Sequence, residues 1–429
     1  MDKPPNYSYM EDPHHYVAVE IVRKKFRDGL CVPRMSRGDI LADMELKKSA
    51  GTIEAWRGLR TKQDCLLAGV DKEYDLPEFL EEIPIWKVAG KVELRTRLDY
   101  IGRQKQRTFI IQPFGQYWVH KRVYGHQQER MKNIWWSAYG FNPYEGGTNR
   151  LARALNRLRR KAMGDVKGWD RLLPHMDAIY DIKNYWIDPS EEMEYATYHA
   201  INSRLHLPNG DVIEKTWGNN SGSGSTTIDN IVGMAICIAH TYLELGAPPE
   251  FIDECVYAAL FGDDFVVADN LVATDEQVEA AYRKIFGLYG LELDPFVISY
   301  DLRDISFLGF TFEMTDRGYI PRYDLGRIAA PMLLNEERMT PEAEFAKMVS
   351  LMLMSAGNGK EVFSIFHRAC SDVLYHSNCP AIKKFGEENW QLPSYEDVVD
   401  WYLGVETSSF VMDGGWDKVF YDTYGTYED

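Results

Sequence analysis

The stretch VYAALFGDDFVVA, residues 256–268, sets two β-prone apolar runs on either side of a Gly262-Asp263-Asp264 corner. Runs of this kind around a Gly-containing pair read as two short strands joined by a tight hairpin. The corner then carries two adjacent carboxylates. Like charges repel, and burying them without a cation is costly. One reading is therefore a divalent-metal site, because hard cations take oxygen ligands. The other is a solvated turn, since Asp is a common turn residue.

Working outward, Thr226 to Leu243 reads as a helix with Ile228, Ile231, Val232, Ala235, Ile238, Ala239 and Tyr242 on one apolar face. Thr274 to Tyr289 reads as a second helix, opened by a Thr274/Gln277 capping box. Ser306 to Met314 alternates as a strand pair around Gly309, and residues 340–405 look largely helical. Upstream, residues 85–112 read as strand, turn, strand. Residues 148–163 read as a basic amphipathic helix, and residues 1–35 as extended chain packed on other parts. Strands and helices alternate irregularly, so the class expected is α+β rather than a doubly wound sheet. At 429 residues the chain exceeds one ordinary core, and two or three subdomains are expected.

Two further segments carry candidate chemistry. In DVKGWD, Asp165 could face the hairpin while Asp170, five residues on, points elsewhere in the site, or either acid could cap a helix. Metals held roughly 3.5–4 Å apart by shared carboxylates can activate an attacking hydroxyl and stabilise a leaving group, and this needs acids from separate strands. The segment SGSGSTTIDN, residues 221–230, begins as a flexible small-residue loop and ends inside the long helix. It reads either as a linker or as a phosphate- or ribose-contacting helix start.

Composition bounds these readings. Hydrophobic residues make up 45% and charged residues 26%, as in a soluble globular protein. The longest apolar stretch, Ile231 to Leu245, is broken by Gly233, His240 and Thr241, so no membrane span is expected. The opening residues do not read as a signal peptide. Six scattered cysteines include no C-x-x-C pair and fit a reducing compartment. The net charge is −17, yet the 150–161 stretch carries Arg150, Arg153, Arg157, Arg159, Arg160 and Lys161 without an acid. A second basic stretch runs from Lys87 to Arg107. These are either solvated helix faces or the walls of a basic channel in an acidic body.

In chain order the sequence reads D-x-x-x-x-D, then S-G-x-x-x-T-x-x-x-N, then G-D-D. This series resembles motifs A, B and C of viral RNA-dependent RNA polymerases, particularly those of positive-strand, picornavirus-like viruses. Lys91 to Arg95 with Lys105 to Arg107 looks like motif F, Ser49-Ala50-Gly51 like motif G, and Phe307-Leu308-Gly309-Phe310 like motif E. The resemblance spans roughly residues 45–315, and six motifs in one order make it specific.

The resemblance implies a right-hand polymerase fold closed around a template channel. Fingers would occupy 1–160, palm 161–174 and 216–318, a fingers insertion 175–215, and thumb 319–429. It implies that Asp165 and Asp263 ligate two Mg²⁺ (or Mn²⁺) ions with support from Asp264. Asp170 and Asn230 would read the ribose, aided by Ser221 and Thr226. Lys91, Arg95, Lys105 and Arg107 would contact the nucleotide and its triphosphate, and Ser49 and Gly51 the template. The implied partners are an RNA template and nascent strand, ribonucleoside triphosphates and other viral replication proteins, in the host cytoplasm. One position departs from the pattern: Ile298 stands where motif D usually supplies a Lys as general acid. A reverse transcriptase usually carries an aromatic gate where Asp170 stands. A non-catalytic RNA-binding scaffold is the remaining alternative.

Overall fold

The structure, a computed structural model, describes residues 7–90, 108–333, 340–380, 382–383 and 391–405. Among these the strands are β1 Ile85–Gly90, β2 Thr108–Ile111, β3 Arg160–Val166, β4 Ser203–His206, β5 Val212–Lys215, β6 Val256–Phe261, β7 Asp264–Asp269, β8 Leu293–Ser299, β9 Ser306–Phe307, β10 Phe310–Met314 and β11 Tyr319–Tyr323. The longer helices are α1 Pro13–Lys25, α2 Phe114–Arg130, α3 Gly147–Leu155, α4 Met176–Asn184, α5 Glu191–Ile201, α6 Thr226–Glu244, α7 Asp275–Leu288, α8 Leu325–Leu333, α9 Pro341–Ser355, α10 Lys360–His376 and α11 Tyr395–Leu403. Helix and sheet are mixed, as the α+β expectation holds.

Two compact units divide the chain. The first comprises Met1–Gly140, Gly164–Phe265 and Leu271–Phe296; the second comprises Phe141–Met163, Val266–Asn270 and Val297–Asp429. The first unit is built around α6. Sixteen of its 19 residues are buried, so it has no wet face and reads as a core helix rather than an amphipathic one. Helices α1, α4 and α7 and strand β6 pack against it. Of the segment expected to be extended, residues 8–30 are instead mostly helical. Asp12 caps α1 by accepting from the His14 amide at 2.9 Å, and Pro13 takes the first helical position, where its missing N–H costs nothing.

Two sheets carry candidate site residues, the first within this unit and the second with strands whose residues are shared between the two units. One has the order β2-β1-β4-β5, with β1 antiparallel to β2 and parallel to β4. The other has the order β6-β7-β3-β8. The β6–β7 hairpin forms as the sequence predicts, with Gly262 at φ 66° in the turn, a backbone region that glycine enters without steric cost. The capping box of α7 also forms, Thr274 and Gln277 each satisfying the other's amide.

The predicted helix over 148–163 is half right. Helix α3 ends at Leu155, and β3 starts at Arg160. Arg160 and Lys161 are buried in that strand, Arg160 pairing with Asp269 at 3.3 Å. These two cations are interior groups, not part of a solvated helix face. In the second unit, β9 and β10 join through Leu308 and Gly309, both at positive φ as a two-residue hairpin turn demands. Strand β11 and helices α8–α11 enclose a core of Ile320, Ile328, Phe345, Phe363, Leu374 and Tyr402.

Candidate active site

Three acids stand on or directly beside the central strands of the β6-β7-β3-β8 sheet. Asp165 is exposed near the end of β3, Asp264 is exposed at the start of β7, and Asp263 is exposed in the turn before it. Strands β3 and β7 are neighbours. The acids are therefore displayed to solvent, and the cost of burying a like-charged pair does not arise. Their carboxylate oxygens are the donors a hard cation prefers. Among the described residues, however, no three His, Cys, Asp or Glu side chains converge closely enough to hold a metal ion.

Asp170 follows on a single helical turn, Trp169–Leu172. It is not a helix cap; Gly168 takes that position. Its Oδ1 accepts from Asn230 Nδ2 at 2.8 Å, and Asn230 Oδ1 accepts from Asn219 Nδ2 at 2.8 Å. The Asn219 amide in turn donates to the Asp170 carbonyl at 2.6 Å. Burial lifts the Asp170 carboxyl above its ordinary range. The Asn230 hydrogen bond and the Lys215 charge pull it back, while the Asp263 charge adds to the rise. That last effect places Asp263 within electrostatic reach of Asp170.

The loop 218–225 is pinned rather than flexible. Gly222 bridges to Ile111 of β2, where an added Cβ would collide with the Ile110 carbonyl. Ser221 Oγ accepts from the Ile110 amide at 3.3 Å. Gln112 Oε1 accepts from the Gly224 amide at 2.9 Å. Thr226 Oγ1 donates to the Asn220 carbonyl at 2.7 Å, so its hydroxyl secures the loop from within.

Below the loop lies a buried network that sequence reasoning missed. Lys183 Nζ bonds Asp229 Oδ1 at 2.5 Å and Ser225 Oγ at 3.1 Å. Ser225 Oγ donates to Asp229 Oδ2 at 2.8 Å, and His120 Nε2 sits 3.2 Å from the same hydroxyl. The only signal in the sequence was an acid, Asp229, inside an apolar helix; its partner lies 46 residues away.

Lys215 was also missed. It ends β5, is 8% exposed, and donates to the Gly218 carbonyl at 2.6 Å. Burial brings its pKa down to about 7, against the opposing charge of Asp170. Lys215 and Asp170 line one cavity of about 370 Å³, together with Ile110, Trp217, Asn219 and Ser221.

Ser49 and Gly51 lie elsewhere in the same unit, Ser49 bridging to Thr61 and Gly51 capping the helix Thr52–Trp56. Lys91, Arg95, Lys105 and Arg107 lie outside the described residues. Ile298 is on β8. The two cations nearest to it in sequence on either side are each paired with an acid: Lys284 with Glu244 and Arg303 with Asp301.

The comparisons with known proteins bear on what this arrangement serves. The sequence model of the family described as viral RNA-dependent RNA polymerase matches residues 47–371. The chain is 22% identical over 365 residues to the genome polyprotein of Peanut mottle virus (strain M), covering 81% of this chain and 12% of the polyprotein. It is 23% identical over 364 residues to the genome polyprotein of Plum pox potyvirus (strain Rankovic), covering 81% and 11%. It is 26% identical over 269 residues to that of Pea seed-borne mosaic virus (strain DPD1), covering 59% and 8%. The chain thus spans only a small part of the polyproteins it matches, while the family match covers most of its own length. On that match, and with the three motif segments gathered in one unit, the chain belongs to the viral RNA-dependent RNA polymerase family.

Proposed function

We propose that the chain transfers nucleotides from ribonucleoside triphosphates to an RNA 3′-hydroxyl, directed by an RNA template, and so replicates a viral RNA genome. The observation that carries this reading is the Asp170–Asn230 hydrogen bond beside the strands that bear Asp165, Asp263 and Asp264. A site built to hydrogen-bond a hydroxyl rejects the substrate lacking it, because its polar groups are then left unpaired. That argues for ribonucleotides and against a reverse transcriptase.

In this reading Asp165 and Asp263, with Asp264 beside them, are the residues that would hold two Mg²⁺ or Mn²⁺ ions. The chemistry such ions would supply is a lowered pKa for the attacking hydroxyl and neutralisation of a leaving pyrophosphate. The chain's own residues orient the substrate. Asp170 and Asn230 fix the sugar, Ser221 and Thr226 hold the loop against which it rests, and Lys91, Arg95, Lys105 and Arg107 receive the triphosphate. Ser49 and Gly51 receive the template. The proton for the leaving group comes from a group other than residue 298, where the apolar Ile298 offers none. We propose the same right-hand organisation, with fingers, palm and thumb at the boundaries given above. The polyprotein setting of the relatives supports work alongside other viral replication proteins, in the host cytoplasm.

The test is extension of RNA by purified chain with Mg²⁺ or Mn²⁺, with and without a primer, beside Asp263→Ala. Wild type extends RNA only when template is present, and the variant does not. Template-dependent extension that persists in Asp263→Ala would sink the assignment. RNA binding without extension in the wild type would favour the scaffold reading instead.

A further inference from the structure

The cavity beside Asp170 contains a cation that the motif-based account leaves without a role. Lys215 is 8% exposed, and among the described residues its one hydrogen bond is to the Gly218 carbonyl. An ammonium has three donors and no acceptor, so donors remain available on the cavity side. Asp170 faces the same cavity with the opposite endowment. Its Oδ1 is held by Asn230, and an ionised carboxylate accepts only, with lone pairs to spare on both oxygens. The two groups line one cavity and sense each other's charge, yet form no direct ion pair among the described residues. A group that fits between them must donate to a carboxylate and accept from an ammonium at once. A hydroxyl does both.

We propose that Lys215 is a specificity-determining residue for the nucleotide sugar, its ammonium donating to the 2′-hydroxyl that donates to Asp170. This rests on the reading of Asp170 and Asn230 as the ribose sensor. Among the other lining residues Arg171, Asn219 and Ser221 are polar, whereas Ile110, Leu172 and Trp217 are largely apolar. At about 370 Å³ the space is of the size that holds small ligands. A 2′-deoxy sugar leaves both the ammonium and the carboxylate unsatisfied in a largely buried setting, which multiplies the penalty for choosing the wrong nucleotide.

The test compares kcat/KM for an rNTP with that for the matching dNTP in wild type, Lys215→Met, Lys215→Gln, Lys215→Arg and Asp170→Ala. Thermal unfolding of each variant is recorded alongside. The expected result is a fall in the rNTP-to-dNTP ratio of about 10- to 100-fold in Lys215→Met and Lys215→Gln, the range for losing a charged hydrogen bond. The loss falls on the rNTP, and Lys215→Arg, which keeps a charged donor, retains most of the ratio. Four outcomes overturn the proposal. An unchanged ratio in the neutral Lys215 variants, with Asp170→Ala relaxed, removes Lys215 alone. An unchanged ratio in Asp170→Ala removes the sugar-reading site itself. An equal loss for rNTP and dNTP, or failure of both neutral variants to fold, assigns the ammonium to structure instead.

Discussion

Lys183 and Asp229 meet at 2.5 Å with neither side chain exposed to solvent, and Asp229 immediately precedes Asn230 on α6. The pair is closed by Ser225, Tyr180 and His120, so each carboxylate oxygen has a partner. A buried ion pair gains little over a well-packed apolar pair, but breaking one by removing a single partner strands a charge.

Lys183→Met alone and Asp229→Leu alone are each expected to lower unfolding free energy by about 3–5 kcal/mol. The double variant is expected to recover a large part of that loss, because neither charge is then left behind. Urea unfolding of the three variants measures the coupling. Additive losses would mean that the two side chains act separately.

Asp165 is exposed, and removing it leaves nothing buried without a partner. Asp165→Ala is expected to change stability by no more than about 0.5 kcal/mol while abolishing RNA extension. Equilibrium unfolding and an extension assay on the same preparation separate the two effects. A loss of folding would show that the aspartate serves the sheet.

Gly222 touches the Ile110 carbonyl so closely that a methyl group has no room. Gly222→Ala is expected to cost about 1–3 kcal/mol by overpacking. It should also push the 221–225 loop off β2. Hydrogen exchange at the Ile110 and Gly224 amides reports that release: both now donate to loop or strand partners and should exchange faster in the variant.

His15 is buried between Tyr9 and Tyr289, its Nδ1 2.9 Å from the Tyr289 hydroxyl. Burial, reinforced by nearby His240, lowers its pKa to about 4, with Asp12 opposing. The folded chain therefore keeps His15 neutral where the unfolded chain, with an ordinary value of about 6.5, takes up a proton. Its contribution is complete above about pH 6.5 and is lost as pH falls toward 4. The Tm should decline across that window. His15→Asn, which retains a polar partner for Tyr289 without titrating, should flatten part of the slope.

What the sequence made legible was mostly local. The β6–β7 hairpin, the α7 capping box and the β9–β10 turn follow from residues next to each other, and all three form. Asp170 and Asn230, 60 residues apart in the chain, are grouped by the resemblance only through a shared role, and the direct hydrogen bond between them is a feature the structure adds. Other features were hidden because burial, not periodicity, defines them. Helix α2 buries 12 of its 17 residues, including His120, Lys121 and Gln116, so no apolar stripe marks it. Arg160 and Lys161 looked like surface cations because their sequence neighbours are basic, whereas Asp269, which pairs with Arg160, is 109 residues away. Lys215 and Lys183 carry no local signal at all, since each is defined by what surrounds it in space.

Helix α6 has one consequence for where the functional body of this protein begins. Family likeness starts at residue 47, but α1, residues 13–25, lies against α6, and Asp12 comes within 3.4 Å of His240 on it. From Asn230 to His240 the helix rises about 15 Å as one stiff rod. A chain trimmed to the family boundary would wet one flank of the rod whose other end carries Asn230, the residue proposed to read the sugar. Residues 12–25 are thus a bearing for α6, and, if Asn230 reads the sugar as proposed, a fragment lacking them should select its substrate less strictly than the intact chain.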